Sequence, residues 1–476
     1  MKMKTSVTCS ALIATMALTA ADTPEVTTVA MSQAAFGRLV TVKYTLDLNG
    51  AAGAVVTFDV ETNCTVNGEA KWASIGGEAV CNATGDVWRK VTESDTDNDG
   101  RYTISWRPDL AWEGHKVSME DGGARAVVTA WALDNTPDYM VVDISEGAKK
   151  NTQKYYPAVE FLPGSALGQT GAITNNTDYR MSSIVMRKIM AKDVAWTMGS
   201  VGETGREEKE ATHKVTLTNN YYIGVFPVTQ CQWALIQKAR RWPSYFNVER
   251  DMRPVENLAY NEIRLIDGTG VTGNSVKDVA VDLDKYSWPE DPHPDSFLGL
   301  LRSKTGIDFD LPSEAEWEFA CRAGNGEGKW GDGSPISGNP NDECLNLLSR
   351  NQYSGGKIGG DTTAEGSCGV ENGTAIVGTY RPNSWGLYDF HGNVLEFCLD
   401  WYEKDISKNS GMVNIDISNP ALTLSGATAQ ESRRVRRGGN YNVHAHNCRS
   451  AYRDSDASTR RRETNGFRLV CRAGLE

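Results

Sequence analysis

Between about Thr23 and Asp143 apolar and polar residues alternate over strand-length runs: RLVTVKYTLDL, AVVTFDVET, RYTISWRP and ARAVVTAWAL. A period of two sends alternate side chains to opposite faces of a pleated strand. Turn clusters such as DLNGAAG and DTDNDG separate the runs. Several short strands at this spacing predict a small all-β sandwich, immunoglobulin-like in size, over residues 23–145. DTDNDG (Asp95 to Gly100) resembles the start of an EF-hand loop, but its twelfth position is Trp106 where a bidentate Glu belongs. A solvated hairpin turn is the expected structure there.

The alternation stops in EGAKKNTQKYYPAVEFLPGSALGQTGAITNNTDYR, which reads as a linker over residues 146–180. Beyond it, residues 181–476 are rich in Gly, Trp and Arg, with few periodic helices. Two helices are predicted. One covers TQCQWALIQK, Thr229 to Lys238. In the other, SEAEWEFACRAG, Ser313 and Glu316 form a capping box, Trp317 and Ala320 give an apolar face, and Gly324 stops it. Ile266 to Thr305 reads as a polar surface insertion with one short helix, FLGLLRSK.

Composition narrows the function. The chain has 476 residues, 49 Lys plus Arg and 61 Asp plus Glu, for a net charge of −12. That balance argues against nucleic acid as a partner. MKMKTSVTCSALIATMALTAAD has a charged start, a short apolar run and small residues, which predicts a signal peptide over residues 1–21. No later run is apolar enough to span a membrane, so a secreted or periplasmic location is expected. Removing Cys9 leaves nine of the ten cysteines. In an oxidising compartment most should pair. Cys64 with Cys81, and Cys344 with Cys368 across a Gly-rich loop, are the expected bridges. Cys398 in EFCLDWY is the expected partner of Cys448.

AWTMGS, HKVTLTNNYYIGVFPVTQCQW, RPVENLAYNEI, DLPSEAEWEFACRAG, NSWGLYDFHGNVLEFCLDWY and RRGGNYN…CRSAYR…NGFRLV follow one another in that order. Together they resemble the formylglycine-generating enzyme (sulfatase-modifying factor) family over residues 181–471. The resemblance implies an α+β, C-type-lectin-like fold with little regular secondary structure. The family includes copper enzymes that oxidise a sulfatase cysteine to formylglycine, iron-dependent sulfoxide synthases, and proteins without known chemistry. Among the last are ligand-binding variable proteins diversified by retroelements.

The copper enzymes hold copper(I) through two thiolates, a soft ligand pair for a soft ion. On the resemblance the pair follows a Gly-Gly turn, with four residues between the thiols. After Gly438-Gly439, Val443 stands at the first position and Cys448 at the second. An alternative alignment matches NCRSAYR to a later segment and omits the copper loop. Either way one thiol is missing and copper is not expected. His444 and His446 lie close to Cys448, but His-x-His in an irregular loop is expected to be polar surface.

DFHGNVLEF places Asp389 and Glu396 on either side of a Gly-Asn turn. Oxygen donors at both ends can wrap a hard cation. The resemblance implies structural calcium at the Asp389 and Glu396 side chains and the Gly392 and Val394 carbonyls. The C-terminal stretch is dense in arginine: Arg433, Arg434, Arg436, Arg437, Arg449, Arg453, Arg460, Arg461, Arg462 and Arg468. Either these line a groove for an anionic ligand, or they pair with the acidic remainder. NYNVHAH and YRDSDAST set polar and aromatic residues in a fixed frame, as in adaptable paratopes. Tyr441, His444, His446, Tyr452 and Asp454 are therefore expected to contact a protein, peptide or glycan ligand. Two functions stand: a calcium-stabilised binding or structural module, or an oxidoreductase acting on a peptide cysteine through Cys448.

Overall fold

The computed structural model describes residues 23–34, 36–66, 69–114, 122–164, 172–238, 242–247, 250–266, 283–286, 290–356, 373–402, 404 and 433–472. The expected signal peptide and Cys368 lie outside them. The chain divides into two compact units, one gathering residues 1–141, 153–176 and 473–476, the other residues 142–152 and 177–472.

In the first unit the alternating runs become antiparallel strands. Glu25–Gln33, Val40–Asp47, Tyr102–Trp106 and Thr84–Gly85 form one sheet in that order. Glu69–Ser74, Ala54–Val66 and Arg89–Val91 form a second, in which Ala124–Trp131 also pairs with Ala54–Val66. Val40, Val42 and Tyr44 bury one face, and their partners Trp106, Ile104 and Tyr102 bury the same face across the ladder. Phe58 meets Trp106 edge-on at 6.1 Å, joining side chains of the two sheets. The described residues of this unit thus form two antiparallel sheets. DTDNDG forms a turn in which Asp97 Oδ1 accepts the Asp99 and Arg101 N–H groups, while Oδ2 pairs with Lys43 at 2.9 Å.

Two expectations change in this unit. Cys81 carries a free thiol, which donates to the Glu78 carbonyl at 3.0 Å, so no Cys64–Cys81 bridge forms. The expected linker is also divided. Residues 153–176 belong to the first unit because YYPAVEF has apolar groups to bury: Trp88 stacks on Tyr156 at 5.1 Å and meets Phe161 at 6.2 Å.

The second unit mixes short helices with small sheets. Ser183–Ile189, Tyr221–Gly224 and Val470–Arg472 are antiparallel neighbours. Arg453–Ala457, Arg433–Arg437, Leu395–Trp401 and Asn465–Gly466 form another sheet, with only the last pair parallel. Helix Gln230–Gln237 is capped by Thr229 and Gln232. Helix Glu314–Arg322 starts at the expected Ser313–Glu316 capping box. It ends one residue earlier than expected, on Ala323 in the left-handed region. Helix Phe297–Thr305 is no surface insertion: Phe297, Leu298 and Leu301 are buried, and Phe297 stacks flat on Trp233 at 4.9 Å.

Candidate functional site

Strand Arg433–Arg437 leads into the Gly438-Gly439 turn, where both glycines have positive φ, 96° and 72°. A Cβ on Gly439 would lie 2.6 Å from the Asn447 oxygen and 2.7 Å from Cys448 Sγ. The turn is thus in direct contact with the thiol. Cys448 ends the short turn Ala445–Cys448 and is fully buried with Trp330, Leu345, Leu348 and Ala445. Val443, Ile336 and Cys344 pack on the rim of this cluster. Burial pushes the Cys448 thiol up to about 12, even with Ser349, the Asn440 backbone and Arg449 favouring its charge. Arg449 does little for the thiol, because it donates to Glu203 at 2.9 Å and to Glu210 at 2.7 and 2.8 Å.

Behind the thiol stands His391, which sequence reading passed over although it lies in DFHGN. Its Nε2 accepts the Gly331 N–H at 3.0 Å, so its Nδ1 carries the proton and donates to the Cys448 carbonyl at 2.8 Å. Burial pushes His391 down to about 4, fixing the neutral ring. Cys321 lies 3.8 Å from His391 Nε2 and 3.4 Å from Ser450 Oγ, and burial raises its thiol to about 12.

The expected Cys398–Cys448 bridge does not form, for both thiols are free and buried. Cys398 sits within strand Leu395–Trp401, while Cys448 fills the apolar cluster beside Trp330. The arrangement leaves Cys448 protonated and shielded, and a reactive thiol requires the thiolate and access. We expect iodoacetamide on the native protein at about pH 8 to label the half-buried Cys344 well before Cys448. Peptide mapping by mass spectrometry reads the order. Equal labelling would show that the cluster opens readily.

The arginines decide their own question. Arg468 holds Glu396 through Nε at 3.0 Å and Nη2 at 2.8 Å. Arg453 holds Glu314 at 2.5 and 2.8 Å, and Arg461 holds Glu262 at 2.7 Å through two nitrogens. Arg437 pairs with Glu318 and Glu314, and Arg436 with Asp454 and Asp456. These are buried ion pairs of the frame, which leaves no case for an anion groove built from them.

The calcium donor set fits poorly. Glu396 has Arg468 on both oxygens, and Oε2 also accepts Trp317 Nε1–H at 2.6 Å. A cation there would face a fully buried guanidinium. Asp389 Oδ2 accepts the Gly378 N–H at 2.7 Å and Oδ1 accepts Asn393 Nδ2–H at 3.2 Å, with burial raising its carboxyl to about 6. Val394 lies in the same loop, and the Gly392 N–H donates to the Gly438 carbonyl at 2.6 Å, tying that loop to the turn. The hydrogen-bonded and ion-paired alternative fits these residues.

The five expected contact residues separate. Tyr441 is 1% exposed and packs edge-on against Phe246 at 5.1 Å, so it supports the surface from beneath. Asp454 is half-buried and paired with Arg436 at 2.9 Å. His444 is exposed, with Gln352 Nε2 at 2.9 Å and the Tyr353 hydroxyl at 3.2 Å from its Nδ1. His446 is half-buried and its Nε2 donates to the Gly338 carbonyl at 3.1 Å. Tyr452 is half-buried under Lys209, whose Nζ lies 4.6 Å from the ring centre. His444, His446 and Tyr452 therefore remain the surface candidates. Tyr353 and Lys209 join them and lay outside the motif that suggested the others.

The family model described as sulfatase-modifying factor enzyme 1-like domain matches residues 186–473. The chain is 32% identical over 139 residues to the formylglycine-generating enzyme of Thermomonospora curvata, 29% of this chain and 40% of that protein. It is 27% identical over 210 residues to the chaperone protein LppX of Paenibacillus barcinonensis, 42% of this chain and 71% of that one. The match thus spans well under two thirds of the first relative's length. Among solved structures, Treponema denticola variable protein 1 is 26% identical with a TM-score of 0.41, over 61% of this chain and 95% of that chain. No helix among the described residues is long and apolar enough to cross a membrane.

Proposed function

The chain belongs to the sulfatase-modifying factor enzyme 1-like family, and from that premise we propose that it is an exported ligand-binding or structural module that has left the copper chemistry of its enzymatic relatives. One observation carries the reading. Where a copper-binding pair requires a second thiol, Val443 packs on the apolar cluster that encloses Cys448. With Val443 at the position where the partner thiol is expected, Cys448 lacks the four-residue-spaced thiol pair that would hold copper(I). Membership alone assigns no activity, because function lies in sites carried by a fold. The relatives bear this out in their names, which include a chaperone protein and formylglycine-generating enzymes.

What the module binds is met by His444, His446, Tyr452, Tyr353 and Lys209. Their aromatic, imidazole and amine groups suit a peptide, protein or glycan surface. The N-terminal sequence supports export, and no disulfide or calcium ion is required for the reading.

The test supplies the purified chain with copper(I), oxygen, a reductant and a peptide carrying Cys-x-Pro-x-Arg. We expect no aldehyde by mass spectrometry and no stoichiometric copper(I) in competition with a chelator. Aldehyde formation that Cys448→Ser abolishes would overturn the proposal in favour of a peptide-cysteine oxidoreductase.

A further inference from the structure

The loop Trp242–Asn247 is held at three points. Trp242 Nε1–H donates to Gln230 Oε1 at 3.0 Å, and Gln230 Nε2–H donates to the Phe246 carbonyl at 2.8 Å. Asn257 Nδ2–H donates to the Pro243 carbonyl at 2.8 Å. The third point is Glu256, whose Oε1 accepts the Phe246 N–H at 3.0 Å. Held this way, the loop presents Tyr245, 63% exposed, and sets Phe246 edge-on to both Tyr245 and Tyr441 at 5.1 Å. It is the buttress on which Tyr441, just after the Gly-Gly turn, rests.

Glu256 is fully buried. No cation forms an ion pair with it among the described residues. Arg253 lies over the Phe246 ring at 5.9 Å and directs its guanidinium to the Thr374 carbonyl at 2.5 Å. The titratable groups near Glu256 are Tyr245 from the loop, Tyr441 from the turn and the exposed Glu463 from the C-terminal segment. None of them supplies positive charge. A buried carboxylate without a counter-ion, near a second carboxylate, is costly, and the group stays neutral instead.

We propose that Glu256 is a proton-dependent latch: neutral, it keeps the aromatic loop seated against Tyr441, and ionised, it releases the loop and the face that Tyr245 presents. Burial first, and Glu463 in the same direction, raise the carboxyl to about 8, against hydrogen bonds from Phe246, Tyr245 and Ser244 that lower it. The sign follows. A carboxyl raised in the folded state favours the seated loop at low pH. That preference fades as pH rises from the ordinary carboxylate range through about 8. The latch does not depend on which ligand the surface takes.

The test is hydrogen exchange of the peptide covering residues 242–247 in the full chain, across about pH 6 to 10 and corrected for intrinsic exchange. The wild type should lose protection progressively as pH rises and level off near pH 8. Glu256→Gln, neutral at every pH, should stay flat. Glu463→Gln removes the nearby like charge at an exposed site and should bring the levelling to lower pH. A flat wild type, or a wild-type pH dependence in Glu256→Gln, would overturn the proposal. Should Glu256→Gln fail to fold, Glu463→Gln decides alone, and an unmoved levelling point there would also overturn it.

Discussion

Arg468→Ala is expected to lose roughly 3–5 kcal/mol of unfolding free energy, as removal of one partner of a buried ion pair does. Arg468 grips both oxygens of Glu396 and donates to the carbonyls of Gly224 and Val225 at 2.7 and 3.1 Å and of Tyr388 at 2.7 Å. Its guanidinium lies 3.8 Å from the centre of the Phe390 ring. One side chain thus joins the strand Tyr221–Gly224, the DFHGN loop and the strand Leu395–Trp401. Alanine leaves Glu396 buried without its counter-ion, with Trp317 as its remaining hydrogen-bond donor. Arg468→Lys keeps the charge but loses the planar fork, so it should recover only part of the loss. Denaturant titration of the three proteins at neutral pH checks this. A loss below about 1 kcal/mol, the range of exposed pairs, would mean that the pair is solvated and that calcium at Glu396 must be reconsidered.

Gly439→Ala should cost about 2–5 kcal/mol. About 1–2 of this comes from the left-handed backbone, and about 1–3 from overpacking. The added methyl would meet the Asn447 backbone oxygen and Cys448 Sγ, both closer than a Cβ normally comes. Neither is the far end of a flexible side chain. Gly50→Ala is the control: its φ is 88°, yet nothing lies within 4 Å of the new Cβ. It should show the backbone cost alone. Denaturant titration of both variants measures the difference. Equal losses would show that the Gly-Gly turn can move away from the thiol, and that Cys448 is less enclosed than its burial indicates.

Local features were readable in the sequence because their causes are local. The period-two runs became strands, and Ser313 with Glu316 became the helix cap, since a cap needs only residues three apart. Six ordered motifs reached the right family. What escaped notice depends on distant partners. Tyr441 looks like an exposed paratope residue until Phe246, from a separate loop, is placed against it. Glu396 has the chemistry of a calcium ligand until Arg468 arrives 72 positions later in the chain. Cysteine pairing failed for the same reason. Spacing says which thiols exist, and the fold alone says which cavities they fill.

The ion pairs also set an order of events during synthesis. Glu203, Glu210, Glu262, Glu314 and Glu396 find their arginines between Arg437 and Arg468. The widest of these pairings, Glu203 with Arg449, is separated by 246 positions. Until the last stretch of chain emerges, those carboxylates have no cation to enter the interior with, and burying them alone is prohibitive. The second unit must therefore wait, loose and hydrated, for its own C-terminus. A ribosome-bound chain ending before Arg437 should be digested by protease as an unfolded polymer. That delay would suit the export proposed above, in which a chain crosses a membrane before it closes.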